Sequence, residues 1–201
     1  MKMTILDRLL LFCTGFLAAY QIVVGIDKLG TAPIIAYTIG FGVLLVAVLL
    51  LIILGFDVLA SPIVVIVSTI IPLSLSLGLV WELLGSFRTP YLAFTLVGFM
   101  TVLITRSTPI SGKLPTIILA IVHGIAGLII FLLPIVLVFQ RQANPGFALV
   151  GLGGALIGSG GLLLSFLKAG KPILSRDTIF KVLPGLLLIM TACFVAGFKY
   201  G

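Results

Sequence analysis

The 201 residues are 61% hydrophobic and only 8% charged, with a formal net charge of +7 and a mean hydropathy of +1.42. A soluble domain is nearer half apolar and a quarter charged. The composition therefore excludes a water-soluble globular protein, a disordered chain and a secreted disulfide scaffold, and points to an all-α integral membrane protein.

A membrane helix needs about 20 mostly apolar residues to cross a hydrocarbon core of roughly 30 Å. Charges mark where such spans must end. The charge-free windows are Leu9–Ile26, Leu29–Phe56, Val58–Trp81, Thr89–Thr105, Leu114–Gln140, Gln142–Leu167 and Val182–Phe198. These seven windows each hold 17 residues or more, which predicts seven transmembrane helices. The loops are short, so residues 1–201 are expected to form a single transmembrane domain. Runs such as Val43–Leu54 and Ile117–Val122 lack the alternation of barrel strands. The first window is longer than a signal-peptide core and is expected to stay as a helix.

Basic residues near short loops stay cytoplasmic. The side holding the N-terminus carries Lys2, Arg8, Arg106, Lys113, Lys168, Lys171, Arg176 and Lys181, and the other carries Lys28, Arg88, Arg141 and Lys199. The expected location is an inner, cytoplasmic-type membrane, with the N-terminus cytoplasmic and the C-terminus outside. The basic residues are scattered along loop ends, so no nucleic-acid partner is expected. The lipid bilayer is.

In the first span, Cys13 lies toward the N-terminal side, and Cys193 lies toward the opposite side in the last. That depth difference argues against a disulfide, and both read as small buried apolar residues. The third span holds Ser68, Thr69, Pro72, Ser74, Ser76 and Gly78. Pro72 removes one helix hydrogen bond near mid-depth. A break flanked by hydroxyls is how many transporters build a solute site. The bland alternative is a packing helix whose serines bond back to its own carbonyls. Trp81, Tyr91 and Tyr200 fit interfacial anchors, and Glu82 and Arg88 flank one loop as a surface pair.

His123, the only histidine, falls near mid-depth of the fifth span. It could bind a solute, relay a proton or ligate a pigment metal, or hydrogen-bond a neighbouring helix. The sixth span reads Gly151-Leu-Gly-Gly-Ala-Leu-Ile-Gly-Ser-Gly-Gly161. Its Gly154/Gly158 pair suits close helix packing, or a homodimer or larger membrane complex. The seventh carries Pro184 with Lys181 one turn before it. Lys181 could snorkel to the surface, pair with Asp177 on the same face, or line a cavity. The Asp177/Lys181 spacing resembles the retinal helix of microbial rhodopsins, but the rest of that signature is missing.

Sliding the chain by 112 residues places Gly15 on Gly127, Pro33 on Pro145, Gly42 on Gly154 and Pro72 on Pro184. The match suggests a parallel 3+1+3 repeat of residues 4–82 and 116–194, with residues 89–105 as a linker helix. In topology alone, this plan is similar to that of the sugar-exporting SWEET and PQ-loop transporters. The chain has no Pro-Gln dipeptide, and its expected orientation is opposite to theirs, so no residues carry over.

Five acidic residues, mostly at span ends, and one histidine assemble no catalytic set; no enzyme, metal or cofactor is expected. The expected function is a small transporter or channel for a small neutral or weakly charged solute. Its candidate binding residues are Ser68, Thr69, Pro72, Ser74, Ser76, His123, Lys181 and Pro184. The alternative is a non-catalytic subunit or assembly factor of a larger respiratory or photosynthetic membrane complex. A transporter implies a wet central cavity; a subunit implies a dry bundle with an apolar lateral seam.

Overall fold

The computed structural model describes residues 3–26, 29–108, 110, 112–168 and 173–201, excluding the side chains of 60, 165 and 168. Lys2, Lys28 and Lys171, counted above for orientation, lie outside these residues, as does the Lys168 side chain. The described residues are helical with no strand. The helices are α1 (Ile5–Val24), α2 (Thr31–Leu54), α3 (Pro62–Leu83), α4 (Arg88–Ser107), α5 (Leu114–Phe139), α6 (Ala148–Lys168) and α7 (Arg176–Tyr200). All seven contain a span long and apolar enough to cross a membrane.

Local chemistry sets the helix starts. Thr4 and Asp7 form a capping box: the Thr4 hydroxyl accepts the Asp7 amide at 3.1 Å and the Asp7 carboxylate accepts the Thr4 amide at 2.8 Å. The helix therefore begins at Ile5, four residues before the charge-free window. Ser175 likewise accepts the Thr178 amide at 3.1 Å and starts α7 at Arg176 rather than Val182. Charge limits how deep a residue sits in a bilayer, not where a helix begins. Pro62 and Pro115 occupy first-turn positions where a missing N–H costs nothing. Gly25 (φ 69°) and Gly55 (φ 77°) end α1 and α2 in a conformation that favours glycine.

The packing order closes a ring. α1 packs on α2, α2 on α3, α3 on α5, α5 on α6, α6 on α7, and α7 back on α1. α4 lies outside this ring, against α3 and α5. Few residues of its apolar span are buried, whereas most of those in the α3 span are, so α3 is the wall and α4 a buttress.

Aromatic side chains cross the ring between α2 and α7. Tyr37 meets Phe198 at 4.7 Å between ring centroids, and Phe41 meets Phe194 at 6.5 Å and Phe198 at 6.3 Å. At the other end, Phe56 and Phe180 stack at 5.1 Å. Phe41, Phe194, Leu11, Leu79, Ile130, Met190 and Val150 are essentially inaccessible. Glycine makes the room: a Cβ at Gly78 would lie 2.5 Å from the Tyr37 ring, and one at Gly153 would lie 2.7 Å from the Phe194 ring.

Candidate functional site

Pro72 is buried inside α3. Lacking an N–H, it leaves the Ser68 carbonyl without its helical donor. The hydroxyls around it turn to the helix itself. Ser68 donates to the Val65 carbonyl at 3.1 Å and Thr69 to the same oxygen at 2.8 Å. Ser76 donates to the Pro72 carbonyl at 2.6 Å, with a second acceptor in Leu73 at 3.1 Å. Such back-bonding satisfies a hydroxyl in an apolar setting without a ligand. Ser74 is the exception: it is buried and has no hydrogen-bond partner among the described residues.

Ser76 also accepts a hydrogen bond from the Tyr91 hydroxyl at 2.8 Å. Tyr91 was expected at the interface as an anchor. It is buried instead, because α4 lies against α3 and its phenol needs an acceptor there. The chain Tyr91–Ser76–Pro72 carbonyl is the one side-chain network among the described residues that ties two helices within the bundle by hydroxyls.

His123 is partly buried on α5, and its Nδ1 lies 3.1 Å from the Leu119 carbonyl of its own helix, rather than bonding a neighbouring helix. No hydrogen bond among the described residues links it to the α3 hydroxyls. Pro184 is buried in α7, whereas Lys181 is exposed. α3 packs on α2, α4 and α5, so the Pro72 group and the Pro184 group sit in different contacts. Ser68, Thr69, Pro72, Ser74 and Ser76 lie along α3, His123 lies on α5, and Lys181 and Pro184 lie on α7; no hydrogen bond among the described residues joins the three groups.

Several smaller expectations change. Arg88 donates through Nε to the Trp81 carbonyl at 2.6 Å rather than pairing with Glu82. Asp177 and Lys181 form no ion pair; Arg176 instead reaches Asp57 at 3.4 Å, the one salt bridge among the described residues. Arg176 also lies 5.2 Å over the Phe180 ring. Cys13 is exposed on the outer face of α1 rather than buried, and both cysteines are free. Of the α6 pair, Gly154 is packed inside the bundle, where a Cβ would lie 2.8 Å from the Ile130 backbone. Gly158 faces open space.

Arg106, Tyr37 and Pro134 take places in the packing that their sequence positions do not announce. Arg106 donates through Nη2 to the Pro115 carbonyl at 3.3 Å, while its buried Nε has no partner among the described residues. Its position in a short loop end gave no signal beyond topology. Pro134 is a third buried proline inside a helix, so such prolines are not confined to α3 and α7. A small cavity of about 10 Å³ lies between Gln21 and Tyr37 at the α1–α2 end, room for about one water. A wider, open groove of about 230 Å³ lies between α4 and α5. Among the described residues, no three His, Cys, Asp or Glu side chains gather as metal ligands would.

These features define a helical bundle of seven candidate membrane spans. Compared with protein-family models, curated proteins and solved structures, the chain matches none.

Proposed function

We propose that the chain is a non-catalytic, membrane-embedded subunit or assembly factor of a larger complex. The observation that carries this reading is the filled ring: Tyr37, Phe41, Phe194 and Phe198 meet across it, and Phe56 and Phe180 close its other end. Three of the four α3 hydroxyl candidates, Ser68, Thr69 and Ser76, are bonded within their own helix. The acids support the same reading. Asp7 caps α1, Asp57 pairs with Arg176, and Glu82 ends α3 at the opposite side. The bundle's outer face meanwhile exposes large apolar side chains such as Ile5, Val23, Ile53 and Phe139. In this reading the bundle sits in an inner, cytoplasmic-type membrane with Arg8, Arg106, Lys113, Arg176 and Lys181 on the cytoplasmic side, following the basic-residue rule. Gly158 of α6 is then a place where a second chain could approach closely.

The test is purification of the tagged chain from its host in gentle detergent, read by native mass. Stoichiometric partner chains are the expected result. A particle of one or two chains that moves a neutral solute across proteoliposomes overturns it in favour of transport.

The transport reading has one observation of its own. Shifting α1, α2 and α3 onto α5, α6 and α7 carries the α3–α5 contact onto the α7–α1 contact, and both exist. This supports a parallel repeat about an axis along the membrane normal, with Pro72 and Pro184 buried at matched places. The matched glycines differ, since Gly15 lies against Val48 while Gly127 faces open space. In that reading the ring opens between the halves, and Ser74 and its neighbours then meet a small neutral solute. Unchanged flux in Pro72→Ala would count against it.

A further inference from the structure

We propose that the α4/α5 groove binds an anionic phospholipid, with one acyl chain lying in the groove and the phosphate held by Arg106. The groove is walled by Phe94, Val97, Gly98 and Thr101 of α4 and by Ile118 and Ile121 of α5. Val97 is 63% and Ile121 53% exposed, so it opens outward, where acyl chains lie in a bilayer. Gly98 deepens the floor, where a Cβ would press on Val122 at 3.3 Å.

Beyond the groove's lining, the Pro115 end of the α4–α5 contact is cationic. Arg106 lies five residues beyond Thr101, about 7.5 Å along α4 at the helical rise. Its Nη2 is fastened to the Pro115 carbonyl at 3.3 Å, one turn before Ile118. Its Nε is enclosed, with no partner among the described residues. The enclosed Nε is beyond a ligand's reach, but Nη1 makes no hydrogen bond among the described residues and is not enclosed, so the outer edge of the guanidinium is free to meet an acceptor. Neither α4 nor α5 contains an acid, and the one salt bridge among the described residues is elsewhere. Exposed Lys113 precedes α5, whose first turn adds a positive dipole end. A phosphodiester supplies charge and acceptor together, at the depth where a lipid carries its headgroup. The apolar face of a partner helix would fill the groove but leave the Arg106 charge without a counter-charge.

The test uses the full chain, delipidated in detergent and titrated by native mass spectrometry with dioleoylphosphatidylglycerol and dioleoylphosphatidylcholine. The wild type should bind the anionic lipid about fivefold more tightly, the effect of one cation near a headgroup. Arg106→Gln should bring the two lipids to parity. Ile121→Trp, at an exposed position that leaves the core intact, should fill the groove and weaken both. Equal affinity in the wild type, a preference surviving Arg106→Gln, or an Ile121→Trp variant that binds normally each overturns the proposal. So does a photocrosslinker at position 121 that captures a polypeptide instead of lipid in host membranes. The wild-type lipid comparison and the Ile121→Trp variant decide the matter even if Arg106→Gln does not fold.

Discussion

Around α6, the helices are joined by glycine; between α3 and α4 they are joined by hydroxyls. Gly151 and Gly154 bring α6 onto the α5 backbone near Phe131 and Ile130, and Gly153 receives the Phe194 ring of α7. Across α3 and α4, the Tyr91 hydroxyl meets Ser76, which is itself fastened to the Pro72 carbonyl. In lipid there is no hydrophobic drive between apolar helices, so close backbone packing and hydrogen bonds must hold them. The glycine seam relies on shape and tolerates no added atom. The hydroxyl seam relies on a pair of groups and tolerates small changes. The first is rigid because backbone cannot retreat; the second can relax by losing one bond.

The largest effect should come from the glycine seam. Gly154→Leu forces side-chain atoms into the Ile130 backbone and should destabilise the bundle by about 3 kcal/mol or more. Gly158→Leu, one turn further on and facing open space, should change stability by less than about 0.5 kcal/mol. Unfolding of both variants in mixed detergent micelles tests the contrast; equal losses would break it. Gly78→Val should fall between them, at about 1–3 kcal/mol, because its neighbour is the Tyr37 ring rather than backbone.

The hydroxyl seam should respond more gently. A double-mutant cycle on Tyr91→Phe and Ser76→Ala should give a coupling of about 0.6–1.7 kcal/mol, the range for interhelical bonds in membranes. Ser68→Ala, which breaks a bond within one helix, should show no coupling to Tyr91→Phe in the same assay. The smallest effect belongs to Asp57→Asn. Its ion pair with Arg176 is 83% and 58% exposed, so the loss should be about 0.5 kcal/mol or less and should vanish at high salt.

The polar residues of α3 were easy to find and hard to assign. Serine and threonine in an apolar run stand out in any reading, but their acceptor is chosen by geometry. A helix always offers a carbonyl one turn back, and Ser68, Thr69 and Ser76 take it. Tyr91 illustrates the converse. Near the end of a span, an aromatic hydroxyl reads as an interface anchor, yet its burial depended on α4 packing against Ser76 of α3. Arg106 was legible as a topological charge and illegible as an enclosed donor, since the packing of the helices, not the sequence around it, decides whether its Nε meets solvent.

What the sequence by itself determined is the class of object: an all-helical chain with seven apolar spans. Unpaired backbone polar groups are too costly in hydrocarbon for long apolar runs to do anything but form helices. It also fixed the local punctuation, through Thr4 and Asp7, Ser175, Pro62 and Gly55, because caps and turns act within a few residues. The tertiary structure alone decided the rest. Whether Gly154 is a docking face or a packing notch, whether the ring between α2 and α7 is wet or filled by Phe41 and Phe194, and which helix stands outside the ring all depend on which surfaces meet. Outward-facing and inward-facing residues are equally apolar here, so hydropathy cannot tell them apart; only the contacts can.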